Sequence, residues 1–196
     1  MQVGVIALQG AVSEHQRALD GALEALGRSG TVITIRTLEQ LREVDAAVLP
    51  GGESTTIGKL LQKFGLAREL IRRCEEGMPL LGTCAGAILM AKEGDGQVER
   101  TRTPLLQLMD IAVDRNAFGR QRESFQLPVD VRGWATPFPG VFIRAPLITR
   151  VWGRAEALAL MGGGVVFARQ GHLLASAFHP ELSDDLRVHQ LLVSMV

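Results

Sequence analysis

Short apolar runs alternate with amphipathic stretches through the first half of the chain, and this alternation constrains the fold more than any other feature. Four runs are short, continuous and aliphatic, as buried strands are: Val3–Leu8, Thr31–Thr37, Asp45–Pro50 and Met78–Thr83. Because helical patterns separate most of them, we expect the strands to run in one direction with helices as crossovers. The sequence therefore predicts an α/β fold in three layers, with a mainly parallel central sheet covered by helices on both faces.

The amphipathic stretches predict helices that each bury one face. Ser13 and Gln16 have the spacing of a capping box at the start of the first helix, and Gly27 is expected to end it. The apolar positions at helical spacing are Leu19, Ala22, Leu23 and Leu26 in the first helix, Ile57, Leu60, Leu61 and Phe64 in the second, and Ala67, Leu70, Ile71 and Cys74 in the third. This periodicity makes Cys74 a core residue.

The second half of the chain has a different pattern. Strand-like pieces bounded by Gly and Pro predict antiparallel additions to the parallel core. The polar residues 94–103, "GDGQVERTRT", are expected to form a surface loop. The segment 183–196 predicts a last helix, with Ser183 or Asp184 as its cap. No linker divides these parts, so we expect a single domain over residues 1–196.

Composition excludes several classes of function. The 21 basic and 21 acidic residues balance, and no basic stripe points to nucleic acid. No apolar run approaches the roughly 18 residues of a membrane span, and Val3–Leu8 is too short for the core of a signal peptide. Two cysteines are too few for a disulfide framework and fit a reducing compartment, so we expect a cytoplasmic protein. No Cys/His spacing resembles a zinc site, and no metal or cofactor is expected.

Cys84 lies in "GTCAG", directly after the fourth predicted strand and before an apolar central helix. A sharp strand-to-helix turn with Gly82 and Gly86 beside it is typical of a nucleophile elbow, here with sulfur in place of oxygen. In such an elbow the N–H of Ala85 would point at a developing oxyanion. The alternative is a small apolar filler, which is the commoner role of a free cysteine.

His179 and Glu181 lie in "FHPEL", at the end of the last predicted strand. Pro180 biases His179 toward extended geometry, in which positions i and i+2 share one side, so the carboxylate can orient the imidazole. The alternative is a strand end with solvated polar groups. His15 and His189 are predicted to lie on helix faces, and His172 at a strand edge.

The stretch "LPGGES", Leu49–Ser54, has two glycines directly after a buried strand. They let the backbone approach a ligand and present N–H groups to an anion, although a tight turn with Ser54 as N-cap would explain them as well. No nucleotide phosphate-loop pattern is present. Four arginines of the second half suit a substrate carboxylate or are solvated surface charges: Arg115, Arg120, Arg122 and Arg144.

The elbow cysteine, the late His-x-Glu and the glycine pair, in this order, resemble those of the class I (triad) glutamine amidotransferases. Six phrases make the chain similar to the glutaminase subunits of pyridoxal 5′-phosphate synthase within that family: "LQGAVSEH", "LPGGESTT", "GTCAGAI", "RNAFGRQRESF", "GVFIRAP" and "SAFHPEL". They extend from Leu8 to the C-terminal helix. The resemblance implies a flavodoxin-like class I amidotransferase fold.

The resemblance also implies a reaction and a partner. Cys84 would attack the side-chain amide of L-glutamine, His179 would be the base and Glu181 would orient it, with a glutamyl thioester as intermediate. Gly52 and Ala85 would stabilise the oxyanion. Glutamine contacts are implied for Gly51, Gly52, Glu53, Arg115, Ile143 and Arg144. The ammonia would pass to a separate synthase subunit, which we expect to dock near His15 and the "QGAVSEH" segment.

Three other functions compete with this expectation. The chain could serve another two-part amidotransferase, such as imidazole glycerol phosphate synthase. It could be a cysteine peptidase or related hydrolase with the same elbow. It could also be a redox sensor or binding module on a flavodoxin-like fold, with Cys84 as a reactive thiol. Glutamine hydrolysis, measured with and without the synthase, distinguishes these.

Overall fold

The predicted buried strands pair in a parallel sheet. The computed structural model describes residues 1–115 and 124–196. Strands β1 (Gln2–Ile6), β2 (Thr31–Ile35), β3 (Ala46–Leu49) and β4 (Leu80–Thr83) run in the order β2-β1-β3-β4, and all three pairings are parallel. The apolar runs of the sequence thus become four neighbouring strands. The predicted α/β fold with a mainly parallel sheet is confirmed in this half.

The second half extends this sheet with antiparallel strands, as expected. Its strands are β5 (Ala91–Gly94), β6 (Met109–Asp114), β7 (Phe125–Val129), β8 (Phe138–Phe142), β9 (Leu147–Val151), β10 (Glu156–Met161), β11 (Gly164–Gln170) and β12 (Leu173–Ser176). The sheet continues from β4 as β12-β11-β9-β6-β5, with β10 beside β11. The β4–β12 and β5–β6 pairs are parallel, and the others in this part are antiparallel. β7 and β8 form a separate hairpin.

Helices cover both faces of the sheet and complete the three layers. They are α1 (Val12–Ala25), α2 (Leu38–Glu43), α3 (Ser54–Lys63), α4 (Leu66–Glu75), α5 (Ala85–Met90), α6 (Gly96–Thr101) and α7 (Arg187–Val193), with a 3-10 turn at Pro180–Leu182. One apolar core contains Leu19 of α1 and Leu192 of α7, and the other contains Leu61 of α3 and Leu70 of α4. Along β3, Ala46 and Val48 enter one core and Ala47 and Leu49 the other, as a two-sided sheet requires. No helix among residues 1–115 and 124–196 is long and apolar enough to cross a membrane.

The start of α1 differs from the prediction. The N-cap is Ala11, and Ser13 lies within the first turn, where its hydroxyl donates to Glu14 instead of capping the helix. A capping box does occur at Thr37 and Gln40, which open the unpredicted helix α2. The motif works only where the hydroxyl residue holds the N-cap position, and the preceding turn decides that.

Two of the predicted apolar helix positions are exposed to solvent. Leu26 and Phe64 are exposed, and each is the residue directly after the last turn of its helix, α1 or α3. The chain leaves the helical path there, so the 3.6-residue period no longer determines which way the side chain points. Gly27 ends α1 as predicted, with a positive φ of 62°.

The segment 94–103 is not simply a surface loop. Asp95 accepts hydrogen bonds from the backbone N–H groups of Gln97 and Val98, and α6 follows. Val98 is buried in the core, which anchors this short helix. The polar composition obscured a helix that depends on its cap and one apolar contact.

The last helix is also shorter than predicted. Neither Ser183 nor Asp184 caps α7, whose N-cap is Leu186. The side chain of Asp185 instead accepts from the backbone N–H of Arg187 and pairs with its guanidinium. The chain from Pro180 to Leu182 forms the 3-10 turn, and residues 183–186, where the helix was expected to begin, are not helical.

Candidate active site

Cys84 lies at the turn between β4 and α5 in an unusual backbone conformation. Its φ of 49° and ψ of −103° lie outside the ordinary regions for a residue with a side chain, at a cost of about 1 to 3 kcal/mol. Its N–H donates to the carbonyl of Ser176 at the end of β12, 2.7 Å away, which fixes the turn to the neighbouring strand. This is the strand–turn–helix context that the elbow pattern predicts.

The two glycines beside the elbow are required by close packing. A Cβ atom on Gly86 would lie 2.0 Å from the carbonyl oxygen of Leu49, and one on Gly82 would lie 2.4 Å from the sulfur of Met90. Any larger residue would push α5 away from the ends of β3 and β4. The glycines therefore allow the first turn of α5, with Ala85 at its start, to lie against the end of β3.

His179 and Glu181 follow β12 and lie next to the elbow. The backbone N–H of His179 donates to the carbonyl of Val141 at 2.8 Å, and its Nδ1 lies 2.7 Å from Oε1 of Glu181. The pairing is as predicted, but the backbone is not extended, because Pro180 begins the 3-10 turn. Proline fits the first position of such a turn, and the turn brings the carboxylate back to the imidazole.

The surroundings of His179 favour its protonated form. Burial by itself lowers the pKa of His179, but hydrogen bonds with Cys84 and Glu181 outweigh burial and raise the pKa to about 10. Because Nδ1 is bonded to Glu181, Nε2 is the nitrogen left for the sulfur. The group can therefore hold a proton beside the thiol and release it to a leaving group.

The glycine pair packs directly against these side chains. A Cβ atom on Gly51 would lie 2.6 Å from Cε1 of His179 and 3.3 Å from Cβ of Cys84, so only glycine fits there. The N–H of Gly51 donates to the hydroxyl of Thr83 at 3.0 Å. Gly52 is exposed and has a φ of 152°. The backbone after β3 therefore lies directly beside Cys84 and His179, where glycines are needed.

Glu53, and not Ser54, is the N-cap of α3. Its Oε2 accepts from the N–H of Thr56 at 2.8 Å, and its Oε1 accepts from the guanidinium of Arg115 at 2.9 Å. Burial raises the pKa of Glu53, but the hydrogen bonds from Thr56 and the charge of Arg115 outweigh it and lower the pKa below its usual range. The carboxylate is therefore charged and fixed at the start of the helix.

Arg115 is held by the segment predicted as a loop. Its guanidinium lies within hydrogen-bond distance of the hydroxyls of Thr55, Thr101 and Thr103, and its backbone N–H lies 3.3 Å from Asp95. Helix α6 and the residues beside it thus surround the arginine. The side chain is mostly buried, so it is part of a built polar cluster rather than a solvated charge.

The other residues predicted to contact glutamine make no hydrogen bond with the Cys84–His179–Glu181 group within residues 1–115 and 124–196. Ile143 and Arg144 follow β8, directly after the Val141 carbonyl that binds His179. Ile143 is half-buried, while Arg144 is exposed and has a positive φ of 44°. Arg120 and Arg122, with the phrase "NAFGRQRE", lie outside the described residues. Within the described ranges, no group of three or more His, Cys, Asp or Glu side chains could hold a metal ion.

Comparison with known proteins gives the family of this chain. Residues 5–196 match the profile of the SNO glutamine amidotransferase family. The chain belongs to this family. Two relatives called "Pyridoxal 5'-phosphate synthase subunit PdxT" are similar over 100% of this chain and 98% of their own length: one from Archaeoglobus fulgidus, 51% identical over 195 residues, and one from Methanosarcina mazei, 50% identical over 196.

A solved structure shares both sequence and fold with the chain. It is described as a glutamine amidotransferase, is 46% identical, and superimposes with a TM-score of 0.86 over 98% of this chain and 97% of its own. The amidotransferase fold expected from the resemblance is therefore confirmed.

Sequence reasoning missed several residues that complete the site of this family member. Gln9 accepts from the N–H of Glu53 at 3.0 Å, and a Cβ atom on Gly10 would lie 1.8 Å from the carbonyl oxygen of Gly51. Both follow β1, whose end lies at the same sheet edge as that of β3. The rule that carboxyl ends of parallel strands share one edge could have found them.

Two histidines also lie near the site without a signal in the sequence. His15 is fully buried, with Nε2 3.4 Å from Oε2 of Glu181, so it cannot belong to the docking surface we expected there. His189 contacts it from α7, 174 residues later in the chain. His172 lies in the turn before β12, where Nε2 is 2.7 Å from the carbonyl oxygen of Cys74.

Proposed function

We propose that this chain hydrolyses L-glutamine to L-glutamate and ammonia and delivers the ammonia to a synthase subunit that makes pyridoxal 5′-phosphate. One observation carries the proposal: the elbow of a glutamine amidotransferase presents Cys84 to a His179–Glu181 pair with a 2.7 Å hydrogen bond. The names of the relatives from Archaeoglobus fulgidus and Methanosarcina mazei support the partner.

Cys84 is the nucleophile in the proposed reaction. Its proton moves to Nε2 of His179, and the sulfur attacks the side-chain amide carbon of glutamine. The tetrahedral intermediate collapses when the C–N bond breaks and His179 gives its proton to the leaving nitrogen, which departs as ammonia. A glutamyl thioester remains. His179 then takes a proton from water, which attacks the thioester, and returns it to the departing sulfur.

The backbone would stabilise the charge that develops on the substrate oxygen. Ala85 is the first residue of α5, so its N–H has no partner within the helix. Gly52 follows Gly51, which is in contact with His179, and we propose its N–H as the second donor. Because Gly52 has no side chain, its peptide can adopt the orientation that a bound oxyanion requires.

Charged groups around the glycine pair would bind the amino-acid end of glutamine. Arg144 is exposed beside the site and suits the substrate carboxylate. Glu53 and Arg115 form an ion pair at the mouth of the site, and Ile143 would pack against the aliphatic part of the substrate. With Gly51 and Gly52, these residues form the proposed glutamine site.

A partner subunit is part of the proposal. Ammonia is neutral and soluble, so its transfer without loss needs a closed path between two active sites, which a hetero-oligomeric complex provides. The glutamine hydrolysis would then serve the lyase reaction of the complex in vitamin B6 biosynthesis. We place the complex in the cytoplasm, because Cys74 and Cys84 are both free.

The decisive experiment is glutaminase kinetics and sizing with and without an acceptor. We expect glutamate release from L-glutamine to increase strongly when a pyridoxal 5′-phosphate synthase subunit is added, together with a larger species on gel filtration. The matched control is the acceptor subunit of imidazole glycerol phosphate synthase. Activation by that control alone would replace the proposed partner, and peptide hydrolysis without any partner would indicate a peptidase.

A further inference from the structure

A buried pair of histidines lies behind the candidate triad. His15 on α1 and His189 on α7 are both fully buried, and Nδ1 of His15 lies 3.0 Å from Nε2 of His189. On its other side, Nε2 of His15 lies 3.1 Å from the hydroxyl of Thr83 and 3.4 Å from Oε2 of Glu181. A polar group this deep needs partners, and here they are the elbow strand and the triad carboxylate.

The carboxylate of Glu181 is held from two sides by imidazoles. Its Oε1 accepts from Nδ1 of His179 at 2.7 Å. Its Oε2 is buried and makes no hydrogen bond of ordinary geometry within residues 1–115 and 124–196, and the group that faces it is Nε2 of His15. Without His15, one oxygen of a buried carboxylate would face no donor in this part of the chain, and its orientation would be less restricted.

The contacts assign the protons of the two histidines. Nε2 of His15 lies between the Thr83 hydroxyl and the Glu181 carboxylate, and a lone pair there would face a negative charge, so we assign the hydrogen to Nε2, where the Thr83 hydroxyl accepts it. Nδ1 of His15 is then an acceptor, and Nε2 of His189 donates to it. Burial lowers the pKa of both His15 and His189 below the ordinary value, so both are neutral near pH 7. Nδ1 of His189 is consequently unprotonated.

We propose that His15 is a positioning residue for the glutaminase reaction: the hydrogen on its Nε2, which faces Oε2 of Glu181 at 3.4 Å, holds the carboxylate by electrostatic attraction in the plane that orients His179. The inference rests on the proposed function, because it gives His15 a role only through the triad. Thr83 joins the same cluster to the glycine loop, since its hydroxyl accepts from the N–H of Gly51 at 3.0 Å. One buried network therefore supports both the base and the backbone beside the thiol.

Two substitutions at His15 separate positioning from packing. In His15→Gln the amide nitrogen takes the place of Nε2 and can still direct a hydrogen at Glu181, whereas in His15→Asn it takes the place of Nδ1 and cannot. We expect His15→Asn to lower kcat for glutamine about 10- to 100-fold, as when other groups that orient a functional side chain are removed. KM should stay within about twofold, and His15→Gln should keep kcat within about threefold of the unchanged protein.

The outcomes distinguish this inference from the proposed function. All proteins are assayed with the synthase subunit present, after their thermal unfolding has been measured. Equal kcat values for both variants, or a loss confined to KM, would overturn the role of His15 while leaving the glutaminase intact. If the unchanged protein releases no glutamate with the synthase, the proposed function fails, and the role of His15 in it fails with it.

Nuclear magnetic resonance tests the network without measuring turnover. Its first measurement uses the unchanged protein and so does not depend on whether a variant folds. Long-range ¹H–¹⁵N correlation spectra of the unchanged protein should show hydrogen on Nε2 of both His15 and His189. Hydrogen on Nδ1 of His15 would contradict the inference. In His15→Asn we expect the Nδ1–H resonance of His179 to shift, because Glu181 has lost the hydrogen that faced it, whereas in His15→Gln it should stay near its original position.

Discussion

The two cysteines of this chain are both buried, but one lies among apolar side chains and the other beside a histidine. Cys74, on the inner face of α4, is 3% exposed, and Cys84, at the turn after β4, is 7% exposed. Cys74 packs in an apolar core, where burial raises the pKa of its thiol to about 12. Cys84 has a positive φ, a histidine beside it and glycines on both sides.

Burial therefore does not distinguish a core cysteine from a candidate nucleophile. The difference lies in the backbone and in the polar groups within reach. An ordinary helical residue points its thiol into packed aliphatic groups, where no base is available. At the elbow, the strained turn directs the thiol toward His179, and the glycines let α5 pack closely against the ends of β3 and β4.

Removing the nucleophile or the base should have the largest effect. We expect Cys84→Ser and His179→Asn each to lower kcat for glutamine roughly 10³-fold or more, because the members of a triad act as a unit. Cys74→Ser is the matched control and should keep kcat near that of the unchanged protein. Glutamate release in the presence of the synthase is the measurement. Comparable activity in Cys84→Ser and the unchanged protein would exclude the proposed mechanism.

Neutralising the orienting carboxylate should have a smaller effect. Glu181→Gln keeps an oxygen that can accept from Nδ1 of His179 but loses the charge that stabilises the imidazolium, so we expect kcat to fall about 10- to 100-fold. Glu69→Gln provides a control, because Glu69 is an equally buried carboxylate that pairs with Arg42 and Arg72 far from the elbow. If Glu181→Gln lowered kcat as much as Cys84→Ser, Glu181 would do more than orient the base.

The pH dependence of stability should differ between the two regions. The thiol of Cys74 stays neutral between pH 4 and 8, so this thiol contributes no titration there. Burial lowers the pKa of His189 to about 4, and the unfolded chain takes up protons at its ordinary value near 6.5. Stability should therefore fall between pH 6.5 and 4, by on the order of 2 kcal/mol from this group alone.

The opposite sign holds for His179, whose pKa is raised to about 10. Its contribution is complete below pH 6.5 and is lost as the pH rises toward 10. Urea unfolding at pH 4.5, 6.5 and 9 measures both effects. His189→Gln should flatten the acid side, and His179→Asn the alkaline side. An acid side that is unchanged in His189→Gln would contradict the neutral buried state of that histidine.

Much of the site was predictable because its residues carry local signals. Gly82 and Gly86 mark the close approach of α5, and Pro180 marks the turn that pairs His179 with Glu181. These signals concern neighbours in the chain, where backbone geometry follows from residue type. We predicted an extended backbone from His179 to Glu181, which was wrong, but the predicted hydrogen bond between their side chains is present. A 3-10 turn can also bring residues i and i+2 together.

Segments whose structure depends on distant contacts were not predictable. The polar stretch 94–103 folds as α6 because Asp95 caps it and Val98 reaches the core, and together with Thr103 it encloses Arg115. The strands β5, β9 and β10 also lacked a clear signal. Short segments such as these are stabilised by their neighbours in the sheet rather than by their own propensity.

The layers, the elbow with Cys84 and the His179–Glu181 pair could be inferred from the amino-acid sequence, because apolar periodicity and turn chemistry are local properties. The position of His15 and His189 behind the triad, in contrast, depends on how distant helices pack. The two are 174 residues apart, and no periodicity links them. They meet because α1 and α7 pack on the same face of the sheet, and a helix pattern specifies which side is buried but not which polar group it will contact there.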